Sequence, residues 1–174
     1  MAHELYTRTN QKIYFAGLSL EALGKAEQGQ AMNAMARIQA ERESALFHLY
    51  GALLGLCHEI AGFYRLPQAA TPRAEELLTR EVLAQIAIPE MAELVELAQA
   101  PGTWVHELLA AHAALHRPPQ APKVAKGDVT QPLIVAVNLD APDEPEELTR
   151  EVLEGWRQQL KSLAVRYRDG LSEC

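Results

Sequence analysis

From Ala31 to Tyr64 apolar residues recur at helical spacing, which predicts one continuous helix roughly 50 Å long at 1.5 Å per residue. Its first half is mostly Ala and charge, with Met32, Met35 and Ile38. Its second half contains LLGLCHEIAGFY, residues 53–64, the most apolar part of the chain. A rod of that length with one strongly apolar half belongs in a core, so the neighbouring segments must cover it. They carry the same period. A first helix is expected from about Glu4 to Glu27, with Ile13, Phe15, Leu18, Leu20, Leu23 and Ala26 inward and a turn at EQGQ.

Beyond the long helix, LPQAATPRAEE reads as a turn and a helix start, with Thr71 as N-cap, Pro72 at the first helical position and Glu75 and Glu76 at the positive end of the dipole. The following helix carries Leu77, Leu78, Val82, Leu83 and Ile86 and should kink or break at Pro89. Met91, Leu94, Val95 and Leu97 continue the pattern to Ala100, and PGTW restarts it with Trp104, Val105, Leu108, Leu109 and Leu115. RPPQAPKVAKGDVTQP, residues 117–132, has no amphipathic period and reads as an extended connection. LIVAV, residues 133–137, alone has strand propensity and, without a partner strand, is expected to lie across helices. Asp143 and Glu146 form a near capping box for a last helix carrying Leu148, Val152, Leu153, Trp156, Leu160, Leu163 and Tyr167. The expectation is an all-α fold, a helical bundle of four to five main helices, forming one domain over residues 1–174 with residues 117–144 as an extended connection.

LTREVL occurs at 78–83 and again at 148–153. Apart from a preceding pair of glutamates the flanks differ, so recurrence of good helix formers explains it better than duplication.

Composition narrows the class of function. The 174 residues are 48% hydrophobic and 6% aromatic, as in soluble helical proteins. Asp and Glu number 23 against 16 Lys and Arg, a formal net charge of -7, which disfavours binding to nucleic acid or to anionic lipid. The longest apolar run, Ala45 to Cys57, is short and interrupted by His48, so no membrane span is expected. MAHELYTRTNQ lacks the features of a secretory signal, and two cysteines make no disulfide framework; a cytoplasmic protein is expected, with Cys174 exposed.

Cys57, His58 and Glu59 stand side by side, but consecutive helical residues point about 100° apart and cannot converge on one metal or substrate. The neighbours of Cys57 at three and four residues are Leu53, Leu54, Ile60 and Ala61, which makes it a buried apolar residue. His58 should be satisfied by a neighbour and Glu59 ion-paired or exposed. His112 and His116 are better metal candidates, being four residues apart on one helix. With His48 or His58 they could supply three ligands to a divalent metal. Such a site would resemble the three-histidine sites of the damage-inducible, DinB-type bundles. Neither His-Glu-x-x-His nor Glu-x-x-His is present, and His116 equally suits a helix C-terminus. No catalytic residue and no cofactor site is predicted: there is no dinucleotide or phosphate loop and no nucleophile elbow.

WRQQLKSLAVRYR, residues 156–168, reads as an amphipathic helix whose cations answer acidic residues elsewhere. TRTNQKIYFAGLSLEAL and QAERESALFHLYGALLGLCHEIAGFYRLP resemble a family of small, uncharacterised gammaproteobacterial proteins. The resemblance implies a cytosolic helical protein and no activity. The expected function is a non-enzymatic helical interaction module that binds a protein partner or forms a homo-oligomer, with Ala31–Ala40 as the docking strip unless it packs on the first helix. The alternatives are a metal-dependent enzyme or its degenerate relative on the histidine-bearing bundle, and a small-ligand pocket near Trp104 or Trp156.

Overall fold

The computed structural model describes residues 2–118 and 148–172, and every regular element in them is helical. The elements are α1 (Ala2–Gln28), α2 (Ala34–Phe63), a single 3-10 turn (Ala74–Glu76), α3 (Arg80–Gln85), α4 (Pro89–Gln99), α5 (Trp104–Ala114) and α6 (Arg150–Ser172). LIVAV, Asp143, Glu146 and Cys174 lie outside the described residues.

α1 and α2 form an antiparallel hairpin whose closeness is set by small residues. A Cβ on Gly55 would stand 2.7 Å from the Thr9 hydroxyl, and one on Gly51 would stand 3.2 Å from the Lys12 stem. The Ser19 and Ser44 hydroxyls meet at 2.9 Å further along the same seam. α1 therefore buries Thr9, Ile13, Ala16, Ser19, Leu20 and Leu23, a stripe selected partly for size. Leu18 is corrected by this: it is 45% exposed on the outer face, and Phe15 is only half-buried against His48. Leu46, Leu49, Leu53, Leu56 and Ile60 of α2 form the middle of the core, as its Leu-rich half predicts.

α2 ends in a Schellman arrangement. The Leu66 amide donates to the Ala61 carbonyl and the Arg65 amide to the Gly62 carbonyl, with Arg65 at φ 54° in the left-handed region. Leu66 is buried beside that turn. The expected helix from Thr71 is not formed. The Thr71 hydroxyl instead donates to Glu76 within a loop, and only one 3-10 turn intervenes before α3. Pro89 starts α4 rather than bending a longer helix, because its fixed φ suits the first helical position. The Thr103 hydroxyl accepts from the His106 amide at 3.4 Å and caps α5.

The two LTREVL copies have the same local role. Thr79 accepts from the Val82 amide and Thr149 from the Val152 amide, each at 3.3 Å, so each copy is a helix-start cassette. Thr149 thus caps α6, whose helical residues begin at Arg150.

α6 lies antiparallel to α1, with Arg150 near Glu27 and Gly24, Arg157 over Gly17, and Arg168 on Asn10. Leu153, Trp156, Leu160, Leu163 and Tyr167 enter the core. α4 seals one end through Met91 and Leu94, while α5 adds Val105 and Leu108 and runs back beside α2 towards the hairpin tip.

α2 is the one described helix long and apolar enough to cross a membrane. In this fold 61% of its apolar window is buried against other helices. The length of the apolar run, from which no span was expected, therefore does not by itself decide the point.

Candidate functional site

The triplet in α2 separates as helix geometry requires. Cys57 is fully buried, and burial pushes its thiol up to about 12, so it is protonated and unreactive at neutral pH. His58 Nε2 donates to the Thr71 carbonyl at 2.7 Å and pins the loop after α2. Glu59, 1% exposed at its side chain, takes a two-pronged hydrogen bond from Arg168, with Nε and Nη2 each at 2.8 Å. The Arg168 guanidinium also donates to Asn10 Oδ1 at 2.9 Å and lies 4.9 Å from the Tyr6 ring. This network joins α1, α2 and α6. Elsewhere on α6, Arg166 pairs across to Glu93 of α4, while Arg157 pairs within the helix with Glu154.

The four candidate metal ligands are not gathered. His112 stacks face to face on Tyr50, with ring centres 3.6 Å apart, and His116 meets it edge-on at 5.2 Å. The Tyr50 hydroxyl donates to Glu75 at 2.8 Å and accepts the Ala74 amide at 3.2 Å, while burial pushes its pKa up to about 12. His48 precedes Tyr50 by two residues, about 200° round the helix, and sits between Phe15 and Phe47. His58 is two turns further along, held by Thr71. Among the described residues no group of three or more His, Cys, Asp or Glu side chains is placed to hold a metal. Burial, followed by a cationic neighbour, lowers the pKa of both His48 and His112, the neighbours being Lys12 and His116.

Among the described residues a groove of about 830 Å³ lies towards the hairpin tip, between α2, α5 and α6. Leu46, Ala111, Leu115, Val152 and Trp156 line its apolar floor. Arg42, Glu43, Glu107 and Arg117 give it a rim of both signs. Its volume falls in the range typical of ligand sites, about 300–1,000 Å³. Trp156 was one of the two tryptophans near which a pocket was expected; Trp104, the other, packs against the core instead. The docking strip expected at Ala31–Ala40 reaches the groove only at Gln39. Met32 and Met35 are exposed, at 108% and 77%, whereas Ile38 of the same strip packs against the core.

Sequence reasoning missed the α5 wall. The signal available was the small face Ala110, Ala111 and Ala114, which leaves room opposite Leu46 and Val152.

The described helices form an all-α bundle with an apolar, charge-rimmed groove between α2, α5 and α6. The chain itself belongs to DUF6586, a family of unknown function whose model matches residues 1–174. No curated protein and no solved structure matches it.

Proposed function

We propose that this protein is a non-enzymatic helical interaction module of the cytoplasm, and that its hairpin-tip groove receives a short apolar segment of a protein. The groove is the observation that carries the reading. A floor of Leu46, Ala111, Leu115, Val152 and Trp156 rewards apolar side chains with about 25 cal/mol for each Å² removed from water. A rim carrying both signs sets orientation and favours a segment with charged flanks over a neutral small molecule. The ionisable residues of the α2 triplet are committed to structure: Glu59 to Arg168, His58 to Thr71, Cys57 to the core. Cys57, a buried free thiol, suits a reducing compartment.

The test is affinity purification of tagged native chain, Ala111→Glu and Met32→Glu/Met35→Glu from the protein's own cells, with mass spectrometry and light scattering. A stoichiometric complex lost in Ala111→Glu and kept in the methionine variant supports the groove. A complex that survives Ala111→Glu, or a lone monomer in every preparation, overturns it.

A further inference from the structure

The α1–α2 hairpin is flanked by α6 along α1 and by α5 along α2. Among the described residues, its opposite side leaves large apolar side chains in solvent. Tyr14, Leu18 and Phe47 are 62%, 45% and 53% exposed. Phe15 is half-buried beside Tyr14, and His48 meets the Phe15 and Phe47 rings edge-on at 5.3 and 5.4 Å. Burial and then the Lys12 charge lower the His48 pKa, so the centre of this patch is uncharged at neutral pH.

Charges are placed about the patch in a way that fits a second copy of the same chain. The Lys12 stem lies against Gly51, four residues after Phe47, and its ammonium stands 5.0 Å from the Phe47 ring. Glu43 is four residues before Phe47 on the same helix face. A cation and an anion therefore stand on opposite sides of Phe47, each about 6 Å along the axis. Arg8, exposed one turn before Lys12, extends the cationic side. A two-fold axis crossing the hairpin at Phe47 turns the second copy end for end. Lys12 of each copy then meets Glu43 of the other, and Phe47 meets Phe47 at the centre. Copies laid parallel would instead set Lys12 against Lys12.

We infer that this face of the hairpin joins two copies of the chain, antiparallel, about a two-fold axis at Phe47. The inference goes beyond the proposed function and uses a different surface; of the groove residues only Glu43 borders it. The face runs from Arg8 to Ala22, about 21 Å, and is two helices, about 20 Å, wide. With its relief it offers on the order of 500 Å² on each copy, so a pair buries about 1,000 Å², the threshold of a specific interface. The dimer is accordingly weak and forms and parts with concentration. Its aromatic centre and charged rim are the distribution that protein interfaces share.

Sedimentation velocity of the full chain across a dilution series tests this. The native chain should pass from monomer to dimer as its concentration rises through the micromolar range. Phe47→Glu and Leu18→Glu should each keep it monomeric, with circular dichroism melts like the native ones because both side chains are exposed. Lys12→Glu and Glu43→Lys should each weaken the dimer about ten-fold, and the two together should restore most of it, since the pair is then reversed rather than lost. A native chain that is monomeric at every concentration overturns the inference, and so does a double charge variant no tighter than the singles. A dimer kept in Phe47→Glu and lost in Ala111→Glu gives self-association to the groove and overturns it as well. A dimer lost in Phe47→Glu and kept in Ala111→Glu supports it, whatever becomes of a partner complex at the groove.

Discussion

Replacing Arg168 by methionine should produce the largest loss of stability available from a residue at the surface of this bundle. The guanidinium is 19% exposed, but its partner Glu59 is 1% exposed, so the substitution strands a carboxylate in the core. Breaking a buried ion pair from one side costs about 3–5 kcal/mol. Arg168 reaches solvent beside Asn10, and water entering there places the expected loss near the lower end, about 3 kcal/mol. For a chain of this size each kcal/mol lowers the melting temperature by about 2–4 °C, so the midpoint should fall by roughly 6–12 °C. The assay is urea unfolding followed by circular dichroism, supported by thermal melts. Glu59→Met in the Arg168→Met background should recover part of the loss, because the double variant leaves no unpaired charge. A single-variant cost below about 1 kcal/mol, or a double variant whose loss equals the sum of the two singles, would refute the reasoning.

Gly55→Ala should destabilise the protein by about 1 kcal/mol net, since the clash with the Thr9 hydroxyl outweighs the better helix propensity, and Thr9→Ala should recover it in thermal melts. Stability should fall as the medium is acidified below about pH 6.5. The reason is that His48 and His112 have lowered pKa values in the fold, so the unfolded chain takes up protons first; their contribution is complete above that pH and shrinks below it. Urea midpoints at pH 8 and pH 5.5 measure this, and His112→Phe should flatten part of the slope; a midpoint that rises on acidification contradicts it. Cys57 should resist thiol reagents at pH 8 until the chain unfolds, which peptide mapping of the modified residue checks; rapid native labelling contradicts the burial that raises its pKa.

The helical character was legible because apolar spacing persists wherever a helix forms, and the separation of Cys57, His58 and Glu59 followed from angles alone. The face that α1 turns inward was less legible. Periodicity marks apolar residues, whereas the α1–α2 seam selects small ones: Thr9, Ala16 and Ser19 go in while Leu18 stays out. Thr71 and Pro72 read as a helix start, but the Thr71 hydroxyl is taken by Glu76 and its carbonyl by His58, which hold the loop in another shape. The groove was visible only through Trp156. Its walls come from Leu46, Ala111 and Val152, which are far apart in the chain and meet only after the helices pack.

The buried face of α6 repeats itself. Leu153, Leu160 and Tyr167 are spaced by seven residues, as are Trp156 and Leu163, and so are Arg150 and Arg157 over Gly24 and Gly17. A heptad pattern is nearly invariant to a slide of about 10 Å along the axis, so apolar packing alone allows α6 more than one register. Such a slide, setting Arg150 on Gly17, would bring Lys161 to Glu59, and an ammonium cannot supply the fork that the guanidinium makes. The Glu59–Arg168 contact thus indexes α6, and with it sets where Val152 and Trp156 stand on the groove floor.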